Sequence, residues 1–190
     1  MKLTDINNKR KLPVFLNKNN LIDSGAEIGV RYGTHANRIL RQWKGSTLFL
    51  IDIWPNFEIK NTAIEKLKEF KDKCRFIHKS SIAASEEIPN NSLDFCYLDA
   101  SHEYNDVKED INAWWPKVKL GGVFCGHDYS CDESYWISER KKLNKPYKPW
   151  PNTGVAKAVD EFVSEKNLIM HIDDGDNDRR KVTSWYITSQ

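Results

Sequence analysis

The stretch Ala26-Glu27-Ile28-Gly29-Val30-Arg31-Tyr32-Gly33 decides the fold. It reads as a short buried strand, about Gly25 to Val30, that breaks at a glycine and reopens as a helix. About twenty residues on, Leu48-Phe49-Leu50-Ile51-Asp52 reads as a second buried strand ending in a carboxylate. In an open α/β sheet, ligands bind beyond the carboxyl ends of the strands, at the switch point. A glycine turn there lets a nucleoside approach the backbone, and Asp52 can accept hydrogen bonds from two ribose hydroxyls.

The same alternation runs outward from this pair and predicts a mostly parallel sheet. A helix follows from Thr34, with Ala36, Ile39, Leu40 and Trp43 on one face. Thr62-Ala63-Ile64-Glu65 reads as a capping box opening the next helix, with Ile64, Leu67 and Phe70 inward. Arg75 to His78 and Leu93 to Leu98 read as the third and fourth strands, the latter ending in Asp99. Ser101 can cap the helix bearing Tyr104, Val107, Ile111 and Trp115, which Pro116 ends. Gly121-Gly122 turns the chain into a fifth strand, Val123 to Gly126. Thr153 opens another helix, and Leu168 to Ile172 with Val182 to Thr188 read as two antiparallel neighbours.

The chain has 190 residues, one ordinary domain spanning 1–190, with 1–21 polar and unplaced. Residues 129–152 lose periodicity and mix Lys141, Lys142, Lys145 and Lys148 with Tyr135, Trp136, Tyr147 and Trp150. They read either as a substrate lid that excludes water or as a solvated connection pinned by its aromatics. No apolar run approaches the roughly 18–20 residues that cross a bilayer, and the start lacks a secretory signal, so no membrane partner is expected. A net charge of +2 is too balanced for a dedicated nucleic-acid binder. Cys74, Cys96, Cys125 and Cys131 are scattered without a C-x-x-C pair. They suit a reducing cytoplasm better than a disulfide framework. A homo-oligomer stays open.

Gly25, Gly29 and Gly33 are spaced evenly by four, so the dinucleotide fingerprint G-x-G-x-x-G is absent. Glu27 lies inside the turn motif, where a carboxylate would repel a pyrophosphate and attract a sulfonium or ammonium. S-adenosylmethionine, an adenosine with a cationic amino-acid end and no phosphate, fits this charge. The rival reading makes Gly29 and Gly33 plain turn glycines and Asp52 a plain strand-end acid. Ser80 and Ser81, after the third strand, are expected near the adenine.

A second constellation is Asp99-Ala100-Ser101-His102 with Gly126-His127-Asp128-Tyr129. Adjacent strands would bring Asp99 and Asp128 face to face, an arrangement that needs a proton or a cation between them. Magnesium suits such a pair, because it takes one or two carboxylates plus waters and substrate. His102 is placed to accept a substrate proton as general base, or is a surface histidine. His127 is open between ligand, brace and base. His35, His78 and His171 read as structural or surface residues.

With these motifs the chain resembles the class I S-adenosylmethionine-dependent methyltransferases over about Ile22 to Ile187. Tyr97-Leu98-Asp99-Ala100-Ser101-His102-Glu103-Tyr104 followed by Trp115 to Tyr129 is similar to the bacterial subgroup of macrocin- and mycinamicin-type sugar O-methyltransferases. The resemblance implies a Rossmann-like seven-stranded sheet, mostly parallel with an antiparallel last strand and helices on both faces. It also implies magnesium at Asp99 and Asp128, His102 as base, and methylation of a small-molecule hydroxyl. The chain is short where that subgroup has an extra N-terminal region, and no third metal ligand is identifiable. Some members are labelled hydroxylases, which leaves the reaction open. A metal-independent transferase, a non-catalytic cofactor-binding domain and a nicotinamide-dependent reductase are the alternatives.

Overall fold

A computed structural model describes residues 2–130, 137–138, 141–142, 153–175 and 182–189. Its strands are β1 (Ser24–Ile28), β2 (Thr47–Asp52), β3 (Cys74–His78), β4 (Leu93–Leu98), β5 (Val118–Gly126), β6 (Met170–Ile172) and β7 (Trp185–Thr188). They form one seven-stranded sheet in the order β3-β2-β1-β4-β5-β7-β6. The first five strands pair in parallel, and β7 runs antiparallel between β5 and β6. The Rossmann-like class and the antiparallel strand are therefore as expected, with β7 inserted beside β5 and not at the edge.

All six residues of β4 are buried because both faces of the sheet are covered. Phe95 and Tyr97 point into the layer holding Trp43, Leu48 and Leu50. Cys96 and Leu98 point into the layer holding Trp114, Phe124 and Trp185. Truncating one of these aromatics to alanine costs about 3–5 kcal/mol, so the sheet is a rigid base for the loops at its carboxyl edge. Cys74, Cys96 and Cys125 are buried and free. Among the described residues no helix is long and apolar enough to cross a membrane.

The helices are α1 (Leu12–Lys18), α2 (Thr34–Leu40), α3 (Phe57–Lys66), α4 (Ser81–Ser85), α5 (Tyr104–Trp114) and α6 (Thr153–Lys166). Three expectations change. First, α3 opens at Asn56, whose side chain accepts from Ile59 N at 3.0 Å. Thr62 lies inside the helix and its hydroxyl bonds back to Glu58 O at 2.8 Å. Threonine can satisfy its hydroxyl on the preceding turn, so the S/T-x-x-E pattern is not by itself a start signal. Ala63 and Leu67 face the core, and Ile64 is 40% exposed.

Second, β5 begins at Val118 and runs through Gly121-Gly122, with a register shift against β4 between Leu93 and Phe95. A bulge absorbs the glycines without ending the strand. Third, the polar start is structured. Ile6, Leu12, Phe15 and Leu16 are buried, and Ile6 O and Asn7 O bond His171 Nε2 and Asp174 N. Of the expected lid 129–152, only Tyr129, Ser130, 137–138 and 141–142 belong to the described residues.

Candidate active site

The carboxyl ends of β1, β2 and β4 open on a cleft of about 680 Å³, lined among others by Gly29, Asp52, Ser80, Ser81, Asp99 and Asp110. Gly29 closes its floor. Its φ is +93°, and a Cβ there would lie 2.0 Å from Asp99 O. Gly29 N donates to Ile51 O at 2.9 Å and Asp99 N to Ile28 O at 2.8 Å, so three strand tips are tied at one point. Gly33 is buried with φ +69° and precedes α2, so the structure gives it the turn and not the cleft wall.

Asp52 braces this corner. Its carboxylate accepts from Arg31 N and Trp54 N, each at 2.7 Å, and Trp54 Nε1 donates to Arg31 O at 3.0 Å. Arg31 and Trp54 both have positive φ, 51° and 28°, so Asp52 holds two strained loop residues in place. An ionised carboxylate has about four acceptor positions, which leaves Asp52 capacity for a diol. Trp54 was not singled out in the sequence. Its only signal there is an aromatic two residues past the acid in Asp52-Ile53-Trp54-Pro55.

Glu27 lies beneath the cleft, 1% exposed, and is not on its wall. Burial, with Asp99 and Asp52 adding, pushes its carboxyl well above the ordinary range. His35 Nδ1 is 3.4 Å from Glu27 Oε1, and burial together with Lys9 pushes that imidazole down to about 3. The pair is therefore neutral, and the carboxylates that line the cleft are Asp52, Asp99, Asp106, Glu109 and Asp110 instead. Glu27 Oε2 and both His35 ring nitrogens lack a hydrogen-bond partner. His35 is thus part of the site's underside, a role its sequence setting did not show.

At the tips of β4 and β5 the second constellation comes together. His102 Nε2 lies 2.9 Å from Asp128 Oδ2 and 3.8 Å from Asp99 Oδ1. Ligand-capable atoms of Asp99, His102 and Asp128 all lie within 4.8 Å of one another. Contacts with Asp128 and then Asp99 raise His102 to about 9. Burial opposes the Asp128 carboxylate, but His102 and His127 outweigh it and hold the group well below its ordinary value. Asp128 has φ +56°, a left-handed conformation uncommon for aspartate and frequent at functional positions.

His127 is a brace. Its Nδ1 is 3.3 Å from Asp128 Oδ2, and its Nε2 is 2.8 Å from Lys9 Nζ. Lys9, from the segment that sequence reading could not place, thereby reaches the centre of the site. Ser80 caps α4 by accepting from Ala83 N at 3.4 Å. Ser81 Oγ accepts from Trp114 Nε1 at 2.8 Å. Ser101 accepts from Glu103 N at 3.3 Å just before α5 and donates to Asp106 at 2.6 Å. Asp110, also absent from the sequence reading, is buried on the cleft wall, and burial raises it to about 6.

Residues 26–129 match the family described as Methyltransferase domain. The chain belongs to that family. A curated relative of this methyltransferase domain is the uncharacterized protein y4gI of Sinorhizobium fredii, 24% identical over 144 residues. The match takes in 67% of this chain but only 16% of that protein, so the domain spans under a fifth of the relative's length. Among solved structures, the O-methyltransferase of Bacillus cereus in complex with S-adenosylhomocysteine superposes with a TM-score of 0.69 at 12% identity. That match covers 100% of this chain and 82% of that one. The O-methyltransferase TomG of Streptomyces achromogenes, involved in tomaymycin synthesis and in complex with S-adenosylmethionine, gives 0.67 at 14% identity over 96% and 80%. Spermidine synthase of Thermotoga maritima gives 0.61 at 13% identity over 97% and 58%. At such identities the likeness shows a shared fold, and the last neighbour illustrates that the fold carries more than one chemistry.

Proposed function

We propose that this methyltransferase domain moves the sulfonium methyl of S-adenosylmethionine to a hydroxyl oxygen of a small-molecule acceptor, a sugar or another natural product, with a divalent cation such as magnesium at Asp99 and Asp128. One observation carries the reading. A bare glycine turn and a braced acid line one cleft, and Asp99 on its wall also belongs to the carboxylate–imidazole cluster with His102 and Asp128. The two neighbouring O-methyltransferases seen with this nucleoside or its demethylated product support the same cofactor and an oxygen target.

The residues fit the cofactor. Gly29 presents backbone without a side chain, and Asp52 keeps acceptor positions for ribose hydroxyls. The unpartnered Glu27 oxygen is the kind of buried acceptor that costs about 1–3 kcal/mol when unsatisfied, and a water linking it to the cofactor's ammonium would relieve it. The donor set at Asp99, Asp128 and His102 also fits a hard cation. Bound there, such an ion would lower the pKa of an acceptor hydroxyl.

The protein's own contribution is position and proton transfer. Asp99 and Asp128 fix the acceptor end of the cleft, and the tie between Gly29 and Asp99 fixes its distance from the cofactor end. Alignment of this kind removes several kcal/mol of encounter entropy, of the order of 7–11 in the best cases. His102 takes the hydroxyl proton. Its imidazolium is stabilised by the two carboxylates, so it becomes a free base when those oxygens are engaged elsewhere.

A metal-free mechanism has one specific observation in its favour. His102 already sits 2.9 Å from Asp128, a base with its own orienting acid. Thermal-shift and calorimetric titration with S-adenosylmethionine, S-adenosylhomocysteine and NAD, each with and without magnesium, tests the assignment. Transfer assays on sugar and phenolic acceptors follow. Stabilisation by the two adenosyl compounds alone is expected. Stabilisation by the dinucleotide alone overturns the reading, and full activity after chelation selects the metal-free form.

A further inference from the structure

We infer that Lys9 is a positioning residue for the acceptor end of the site: its ammonium fixes the ring hydrogen of His127 on Nδ1, where it faces Asp128 and holds that carboxylate beside His102. The effect on turnover rests on the methyl-transfer reading above, whereas the state of the His127 ring does not.

The direction of the hydrogen bonds is set at the lysine end. An ammonium has donors and no acceptor. Lys9 Nζ lies 2.8 Å from His127 Nε2, so Nε2 accepts and carries no hydrogen. An imidazole with Nε2 bare bears its one hydrogen on Nδ1. Nδ1 lies 3.3 Å from Asp128 Oδ2 and 3.9 Å from Asp99 Oδ1, so that hydrogen faces carboxylate oxygens. Asp128 Oδ2 is also the atom 2.9 Å from His102 Nε2. One oxygen therefore sits between two imidazoles. Pinning His127 at both nitrogens stops its ring from turning and fixes where His102 meets its acid.

Lys9 reaches this point from backbone that is itself tied down. Ile6 and Leu12, on either side of it, are buried. Ile6 O accepts from His171 Nε2 at 2.8 Å and Asn7 O from Asp174 N at 3.0 Å. Asn8 opens the short turn Lys9–Lys11 by accepting from Arg10 N at 3.0 Å. Arg10 and Lys11 are exposed, so of the three basic residues in that turn Lys9 is the one directed inward. At the other end, His127 N donates to Leu98 O at 3.0 Å, which anchors the ring to the tip of β4. With both ends anchored, a long lysine side chain loses less freedom in holding a single geometry. Removing a group that orients a functional side chain from behind typically costs about 10- to 100-fold in activity.

The test is nitrogen NMR of the histidine rings in metal-free protein at mildly alkaline pH, with methyl transfer measured beside it. In the wild-type protein the His127 hydrogen is expected on Nδ1, with Nε2 a hydrogen-bonded acceptor. A hydrogen on Nε2 overturns the inference. Lys9→Met keeps an unbranched stem and loses the donor, so the Nε2 signal should move. Transfer to the sugar or phenolic acceptor that the wild-type protein uses should fall by about 10- to 100-fold, while S-adenosylhomocysteine affinity holds. Lys11→Met, exposed on the same turn, should change neither readout. An Nε2 signal or a transfer rate that is the same in Lys9→Met as in wild type overturns the inference. Should Lys9→Met fail to fold, the wild-type spectrum decides alone, a hydrogen on Nδ1 supporting the inference and one on Nε2 overturning it. Failure of wild-type protein to bind S-adenosylhomocysteine would instead strike down the cofactor reading, and the ring assignment would still stand or fall by its own spectrum.

Discussion

Replacing Gly29 with alanine tests the point at which β1, β2 and β4 are tied. The new Cβ would lie 2.0 Å from Asp99 O, 2.4 Å from Asp99 C and 2.7 Å from Ala100 N, all backbone atoms. Reaching an ordinary contact near 3.4 Å means parting the β1 and β4 tips by about 1.4 Å. That movement strains the Asp99 N to Ile28 O bond, now 2.8 Å, worth about 1 kcal/mol net. The φ of +93° adds about 1–2 kcal/mol for a residue with a side chain. A loss of about 2–3 kcal/mol lowers Tm by roughly 4–12 °C in a domain of this size. Because Asp99 is carried away from the cofactor end, turnover falls by about 100-fold as well. Gly33→Ala is the control. Its Cβ would meet the flexible tip of Leu67 at 3.2 Å and Ala63 Cα and Cβ at an ordinary 3.4 Å, so it bears mainly the conformational cost and leaves Asp99 in place. Differential scanning calorimetry and S-adenosylhomocysteine titration of both variants decide. A Gly29→Ala protein that melts within about 2 °C of wild type and binds the ligand equally well refutes the reasoning.

Other expectations follow from the same geometry. His102→Gln should cut turnover by about 10²- to 10⁴-fold while S-adenosylhomocysteine affinity holds; an unchanged rate removes His102 from the chemistry. In metal-free protein the His102 ring should titrate near 9 in NMR, and Asp128→Asn should bring it back toward 6.5. Because the folded value is raised, the stabilisation is complete below about pH 6.5 and is lost as pH rises through about 9. The side chain is over a third exposed, so solvent screening trims that stabilisation to a small part of its nominal size. A ring that titrates at the ordinary value would show that the carboxylate contacts are absent in solution. Asp52→Ala removes the acceptor for Arg31 N and Trp54 N at once and should weaken S-adenosylhomocysteine binding by about tenfold or more. Equal affinity in calorimetry would free Asp52 from the ribose role.

The central strands were legible because they are largely apolar runs covered on both faces. Leu93 to Leu98 needs no partner information to be recognised, and Asp52 and Asp99 follow as the first polar groups past the buried stretch. The helix of residues 57–66 was misread for the opposite reason. A threonine followed three residues later by glutamate bonds equally well to a new helix start or to the preceding turn, and only the Asn56 cap settles which.

What the amino-acid order determined by itself was the sheet, the acids at its carboxyl edge and the pairing of Asp99 with Asp128, since local periodicity and strand adjacency suffice for all three. Tertiary structure alone decided charge state and company. Glu27 was read as a negative wall, yet burial keeps it protonated beneath the cleft beside His35. Lys9 meets His127 across 118 residues of chain, and Ser81 accepts from Trp114 Nε1 on another helix. Desolvation and hydrogen-bond sharing depend on which atoms surround a group in space, and no spacing along the chain records that.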